Sequence, residues 1–140
     1  MIEAIVHAML SQHAPLTALV SDRIFPLLLP EGRPIPAVVY DIVGRMERKT
    51  LSMAATTRHV KCQVRITSVA SAGEFARMVA VDAAVRGACE GRVNVTLAGV
   101  PNVVVLSGAQ MPDAADTESA RQICMRGRDF WISFMEPQGS

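Results

Sequence analysis

The run Arg58–Thr67 (RHVKCQVRIT) constrains this chain more than any other segment. Val60, Cys62, Val64 and Ile66 alternate there with His59, Lys61, Gln63, Arg65 and Thr67. Successive side chains of a strand point to opposite faces, so a period of two predicts a strand with one buried and one wet face. Such a sheet needs a layer packed on its apolar side. The N-terminus offers one: Ile2, Ile5, Val6, Met9 and Leu10 recur at helical spacing, which predicts an amphipathic helix over Met1–Gln12. Pro15 suits the first turn of a second, short helix holding Leu16, Leu19 and Val20, ended by Ser21-Asp22. A third helix is expected over the Ala-rich run Ser71–Gly91, with Ser71 and Glu74 as a capping box. Phe75, Met78, Val79, Val85 and Cys89 make its broad apolar face, and the interrupting Asp82 and Arg86 are expected to pair at i, i+4. Its other side is alanine (Ala72, Ala76, Ala80, Ala83, Ala84), so the helix is expected to be sandwiched or to touch another subunit.

The other segments read as strands and turns. Arg23–Leu29, broken by Pro26, is an edge segment or extended loop. Ala37–Val43 is a strand, and Gly44–Thr57 is the distal part of a long hairpin whose tip extends beyond the body. Val93–Leu97 and Asn102–Leu106 are short strands around the turn Ala98–Pro101, and Ser107–Ala120 is an acidic loop joining the flanking strands at its ends. In the last strand Phe130, Ile132 and Phe134 share a face, whereas upstream the apolar parity shifts to Ile123 and Met125. A bulge near Gly127 would reconcile the two halves. The sum is an α+β fold: a mainly antiparallel sheet, two main helices on one face and a long protruding β-hairpin. One domain is expected over residues 1–136, with residues 137–140 frayed.

Composition narrows the function. Half of the 140 residues are hydrophobic and the net charge is +1, which argues against disorder and against a dedicated nucleic-acid binder. Three dispersed cysteines, Cys62, Cys89 and Cys124, make neither a zinc motif nor an even set of bridges, and read as buried free thiols. There is no signal-peptide pattern and no apolar run of the ~18–20 residues that span a bilayer, so a soluble protein is expected. His7, His13 and His59 have no metal spacing, and neither the phosphate-loop glycine patterns nor HExxH or GxSxG occurs. Asp41 and Asp129 could form an acid/base pair, but cross-strand ion pairing with Arg or Lys is the expected role of strand carboxylates. The densest basic cluster is Arg45, Arg48, Lys49, Arg58 and Lys61. It reads either as a solvated hairpin or as a surface for DNA phosphates or an acidic partner.

The order of these blocks resembles the tail-completion, or tail-terminator, family of long-tailed bacteriophages. The resemblance is carried by the N-terminal helix, PLTALVSDRIFP, PAVVYDI, VKCQVRIT, VRGACEG and the terminal RGRDFWISF, and spans Ile2 to Phe134. It is weakest over Arg92–Ala120. It implies a virion protein at the head–tail junction, assembled in the host cytoplasm without cofactor or catalysis. Six copies would form a ring that caps the tail tube, ends its polymerisation and meets the head connector, with DNA passing through. A closed ring of head-to-tail contacts needs two different patches per subunit. One patch is expected on the hairpin (Arg45, Glu47, Arg48, Lys49, Leu51, Met53) and the other on the helix side (Ala76, Ala80, Ala83), with Arg45, Arg48, Lys49, Arg58 and Lys61 facing the lumen or a partner. The rivals are a head-side connector or stopper, a small cytoplasmic enzyme or ligand-binding domain using Asp41, Arg65 and Asp129, and a DNA-binding accessory protein using Arg45, Arg48 and Lys49.

Overall fold

The computed structural model describes residues 1–48, 57–117 and 122–137. Its elements run α1 (Ile2–Ser11), α2 (Ala14–Val20), β1 (Ile24–Pro26), β2 (Ala37–Arg48), β3 (Thr57–Ser71), α3 (Phe75–Cys89), β4 (Val95–Leu97), β5 (Val100–Gln110), β6 (Ala114–Asp116) and β7 (Ile123–Pro137). The strands form a sheet in the order β1-β2-β3-β7-β5-β4, with β6 alongside β7. β1 runs parallel to β2 and the other pairings are antiparallel, so the α+β sheet is mixed, not purely antiparallel.

The alternating segment sits at the centre. β3 pairs with β7 from Thr57↔Pro137 to Ser71↔Ile123 without a register break. Directly opposed residues share a face, so Val60, Cys62, Val64 and Ile66 stack against Phe134, Ile132, Phe130 and Arg128. The apolar members of this set are fully buried and join one core with the α1 residues Ile2, Ile5, Val6, Met9 and Leu10 and the α3 residues Val81, Val85, Ala88 and Cys89. Removing each large side chain from water contributes about 1.5–3 kcal/mol. The helices therefore cover one face, the inner one, and leave the outer face bare. α2 begins with Pro15 in its first turn, as expected. Its N-cap His13 lies against α3 at Gly87, where a Cβ would come within 3.1 Å of the imidazole Nε2.

Several sequence expectations change in the folded chain. The parity shift in β7 is resolved by charge, with no bulge at Gly127: Arg126 and Arg128 continue the inner parity of Phe130. They reach Asp82, which is buried on α3. Arg128 donates to both Asp82 oxygens (3.2 and 2.9 Å) and Arg126 lies at 3.6 Å. Asp82 therefore does not pair with Arg86, which bonds Glu90 one turn on at 2.9 Å. The capping box is also absent, because Ser71 is consumed by the sheet. It pairs with Ile123, α3 starts at Phe75, and Glu74 at the N-cap makes no side-chain cap bond. α3 buries Met78, Val81, Asp82, Val85, Ala88 and Cys89, while Phe75 is 52% exposed. Its Ala76, Ala80 and Ala83 face outward and are not sandwiched.

Register shifts lie instead outside the β3–β7 pair: between Ile42 and Gly44 in β2, between Ser107 and Gln110 in β5 where it meets β7, and between Val95 and Leu97 where β4 meets β5. At the Ser107/Gln110 shift, Gly108 lies so close to β7 that a Cβ would meet the Asp129 carbonyl oxygen at 2.9 Å. β5 also extends through part of the expected acidic loop, and residues 114–116 form β6. The β4–β5 turn narrows to Ala98-Gly99, both at positive φ (51° and 77°), the geometry of a two-residue hairpin turn. The β2–β3 hairpin is paired as far as Arg48↔His59, and over this stretch β7 still flanks β3. The hairpin tip with Lys49, Leu51 and Met53 lies outside the described residues, as do residues 138–140; Pro137 is the last residue of β7.

Asp82 is the carboxylate partner of Arg128 beneath α3, whereas Arg126 is held mainly by Asp113 at 2.8 and 2.9 Å, so Asp82→Ala should strand the Arg128 charge and destabilise the protein by about 3–5 kcal/mol in urea unfolding. A loss below about 1 kcal/mol would contradict this role.

Candidate interaction surfaces

Strand parity splits the basic cluster in two. On the inner face, beyond the end of the helical layer, Arg45, Glu47, Arg58 and Glu136 converge. Arg45 sits opposite Cys62 across the bulge, and Arg58 opposite Glu136. Glu136, 7% exposed, accepts from Arg45 at 2.8 Å and from both Nε and Nη2 of Arg58. Arg45 also donates to Glu47 at 2.8 Å. With Met1, Arg45, Arg58 and Glu136 line a hollow of about 360 Å³. The guanidinium of Arg58, and after it that of Arg45, holds the Glu136 carboxyl below its ordinary value, while Glu136 and then Glu47 raise that of Arg45. Two arginines and two carboxylates balance, so this group works as a clasp tying the end of β7 to the hairpin arm.

On the outer face lie Arg48, His59 and Lys61, with Met46 and Ser133 completing a hollow of about 260 Å³. Arg48 and His59 are direct cross-strand partners, as are Met46 and Lys61. The ammonium of Lys61 sits 4.9 Å from the centre of the Trp131 ring, a cation–π contact. Among the described residues no carboxylate lies within ion-pair distance of these three side chains. Met46, Leu106 and Met135 are exposed around them. Lys49 falls outside the described residues, so of the five basic residues two are spent in the clasp and two remain on the bare face.

A third row crosses the outer face: Asp41 opposite Arg65, and Arg65 opposite Asp129. Arg65 donates to both oxygens of Asp129 (2.8 and 3.3 Å), and Gln63 adds a bond at 3.0 Å. Asp129, and secondarily Asp41, raises the Arg65 pKa. Asp129 thus takes the cross-strand ion-pair role expected of a strand carboxylate, and Asp41, Arg65 and Asp129 do not share any of the hollows found among the described residues.

The thiols are all buried and unbridged. Burial pushes Cys89 up to about 12 and raises Cys62, which keeps both protonated and weak as nucleophiles. Cys124 lies 3.3 Å from the Ser71 carbonyl oxygen, to which it donates. Among the described residues no three His, Cys, Asp or Glu side chains group as metal ligands, and no helix is long and apolar enough to cross a membrane.

The division of the basic cluster was missed by the sequence reading, although a signal for it existed. Arg45 and Arg48, like Arg58 and Lys61, are three residues apart, and an odd separation on a strand means opposite faces. The clasp around Glu136 needed the register of β7 as well.

The chain matches no described protein family and no curated protein. Its fold is similar to that of a solved chain in the virion of a native gene transfer agent (GTA) particle. The TM-score is 0.63 at 18% sequence identity, covering 96% of this chain and 95% of that one. An identity this low establishes likeness of fold, and here that likeness runs end to end.

A carboxylate whose folded pKa is lowered contributes stability that is fully present above its unfolded value and is lost as pH falls through the folded one. For Glu136 the loss should begin below its ordinary value of 4.5. Glu136→Gln should lower stability at pH 7 and flatten its fall between about pH 5 and pH 2, read from urea midpoints against pH. An unchanged acid limb would show that the clasp does not couple to folding.

Proposed function

We propose that this chain is a structural protein of a phage-like virion and acts, as one domain over residues 1–136, without catalysis. In this reading it forms a ring, six copies in the tail-terminator pattern, that caps the tail tube, stops its growth and offers a docking surface to the head connector. The observation that carries the proposal is the end-to-end fold likeness to a chain of a gene transfer agent virion. The block order from Ile2 to Phe134 that resembles tail-completion proteins supports it independently.

The surfaces suit such a part. The helical layer makes one face self-contained, and the bare face carries Arg48, His59 and Lys61 without a carboxylate neighbour among the described residues. Turned toward the hole of a ring, that face would meet DNA phosphates through unshared positive charge and no base-specific groups, which suits passage better than capture. Arg45 and Arg58 are spent on Glu136 and add little there. Ala76, Ala80 and Ala83 on α3 lie exposed on the helical side, away from that hole, and present a low-relief surface to other proteins of the particle. The partners are therefore further copies of the chain, the tail-tube protein and the connector, in the virion at the head–tail junction, with no membrane and no cofactor.

The test is removal of the chain from cells that make the particle, followed by electron microscopy of the products. Filled heads separate from tails of uncontrolled length are expected. Joined particles with normal tails would overturn the proposal. Tails of normal length beside heads that leak DNA would move the chain to the head-side connector or stopper role.

A further inference from the structure

Among the described residues the sheet ends in two open edges. β1 covers β2 from Val38 to Tyr40, where its last pair is Pro26↔Tyr40. Val38 donates to the Arg23 carbonyl, and the Tyr40 carbonyl accepts from Leu27. Backbone groups alternate sides along a strand, so Ile42 turns toward the same edge. From Asp41 to Arg48 no described backbone group pairs with β2 on that side. At the opposite end, β4 covers β5 at Val100 and Val103, and Arg92 supplies a carbonyl to the Val105 amide at 2.9 Å. Beyond Val105, Leu106–Gln110 is exposed and has no described backbone partner on its outer side.

Unpaired edges are templates for further strands, and proteins blunt them with proline, lysine, cover or bulges. Neither Asp41–Arg48 nor Leu106–Gln110 contains proline or lysine. Of the four charged residues in the β2 run, Asp41 lies opposite Arg65 and Arg45 and Glu47 are drawn into the clasp on the inner face, which leaves Arg48 as the one exposed charge not so engaged among the described residues. Each run does carry a bulge, at Ile42/Gly44 and at Ser107/Gln110. The two bulges lie at nearly the same height, opposite Val64–Gln63 in β3 and Phe130–Arg128 in β7. Bulges increase local twist, so they favour a sheet that curls over one that extends flat.

We propose that the β2 edge of one copy pairs with the β5 edge of the next, so that the sheet runs on from subunit to subunit. This deepens the ring reading above and rests on it. Three features point to a second copy as the occupant. Strand direction alternates through β2, β3, β7 and β5, so β5 of one copy meets β2 of the next antiparallel, in the sense the sheet already has. The two edges differ, which makes the contact heterologous and able to close by rotation. Each edge also presents an exposed apolar side chain on the same bare face, Met46 (58%) at β2 and Leu106 (52%) at β5, and the joint would cover both.

The experiment is amide hydrogen exchange on the full chain, read by mass spectrometry in dilute and concentrated samples whose assembly is followed by sedimentation velocity. The proposal expects exchange to slow by about ten-fold or more in peptides covering both Asp41–Arg48 and Leu106–Gln110, in step with assembly. Assembly with both edges exchanging as in the dilute sample would overturn this joint and leave the ring reading standing. Protection of one edge alone would overturn it as well, since a heterologous joint consumes both. A monomer at every concentration, with both edges open, would overturn self-pairing, while the virion role is judged separately by removing the chain from particle-producing cells.

Discussion

Fifteen residues of β3 pair with fifteen of β7 without a break in register, and nearly every other feature follows from that constraint. A fixed register assigns each side chain of two long strands to one face at once, because a slip of one residue would exchange the faces. It sets Val60, Cys62, Val64 and Ile66 beside Phe134, Ile132 and Phe130 under the helices, and leaves Lys61 beside Trp131 on the bare side. The flanking strands adjust to it. β2 and β5 each take a bulge, and Gly108 gives up a side chain to let β5 lie against Asp129.

Charges reinforce this register where apolar packing ends. Asp82 holds Arg128 on the inner parity of β7 and lies 3.6 Å from Arg126, Asp129 holds Arg65 across the strand pair, and Glu136 gathers Arg45 and Arg58 at the far end. Each carboxylate is almost fully buried, and each is met by at least one arginine. A buried pair adds little net stability compared with a well-packed apolar pair, but breaking it is costly, so such pairs penalise a shifted register. Exposed pairs such as Arg33–Asp22 and Arg77–Glu74 have no comparable leverage.

Much of this was legible in the sequence, and the reasons are local. The α1 stripe and the β3 alternation are periodic signals that burial reproduces residue by residue. Pro15 is written in backbone chemistry, and so is a turn at Ala98–Pro101, of which the fold keeps Ala98-Gly99 and gives Val100 and Pro101 to β5. What could not be read depended on contacts distant in sequence. Ser71 looked like an N-cap because its local context fits one, yet pairing with Ile123 claimed it for the sheet. Asp82 and Arg86 have helix-pair spacing, but a better partner for Asp82 lies 46 residues on, at Arg128. The basic cluster is contiguous along the chain but divided between faces by strand parity. The functional reading followed the same division: the order of the blocks carried the resemblance, while the division between clasp and bare face needed the fold.

In the proposed ring the helical layer would form the outer wall and the bare face of Lys61, His59 and Arg48 the inner one. Electron cryomicroscopy of the intact particle measures this most directly. The account predicts a closed ring of copies at the head–tail junction, with α1 and α3 outward and the β2, β3, β7 and β5 strands around the hole. Density for the chain elsewhere in the particle, or a ring with the helices lining the hole, would contradict it.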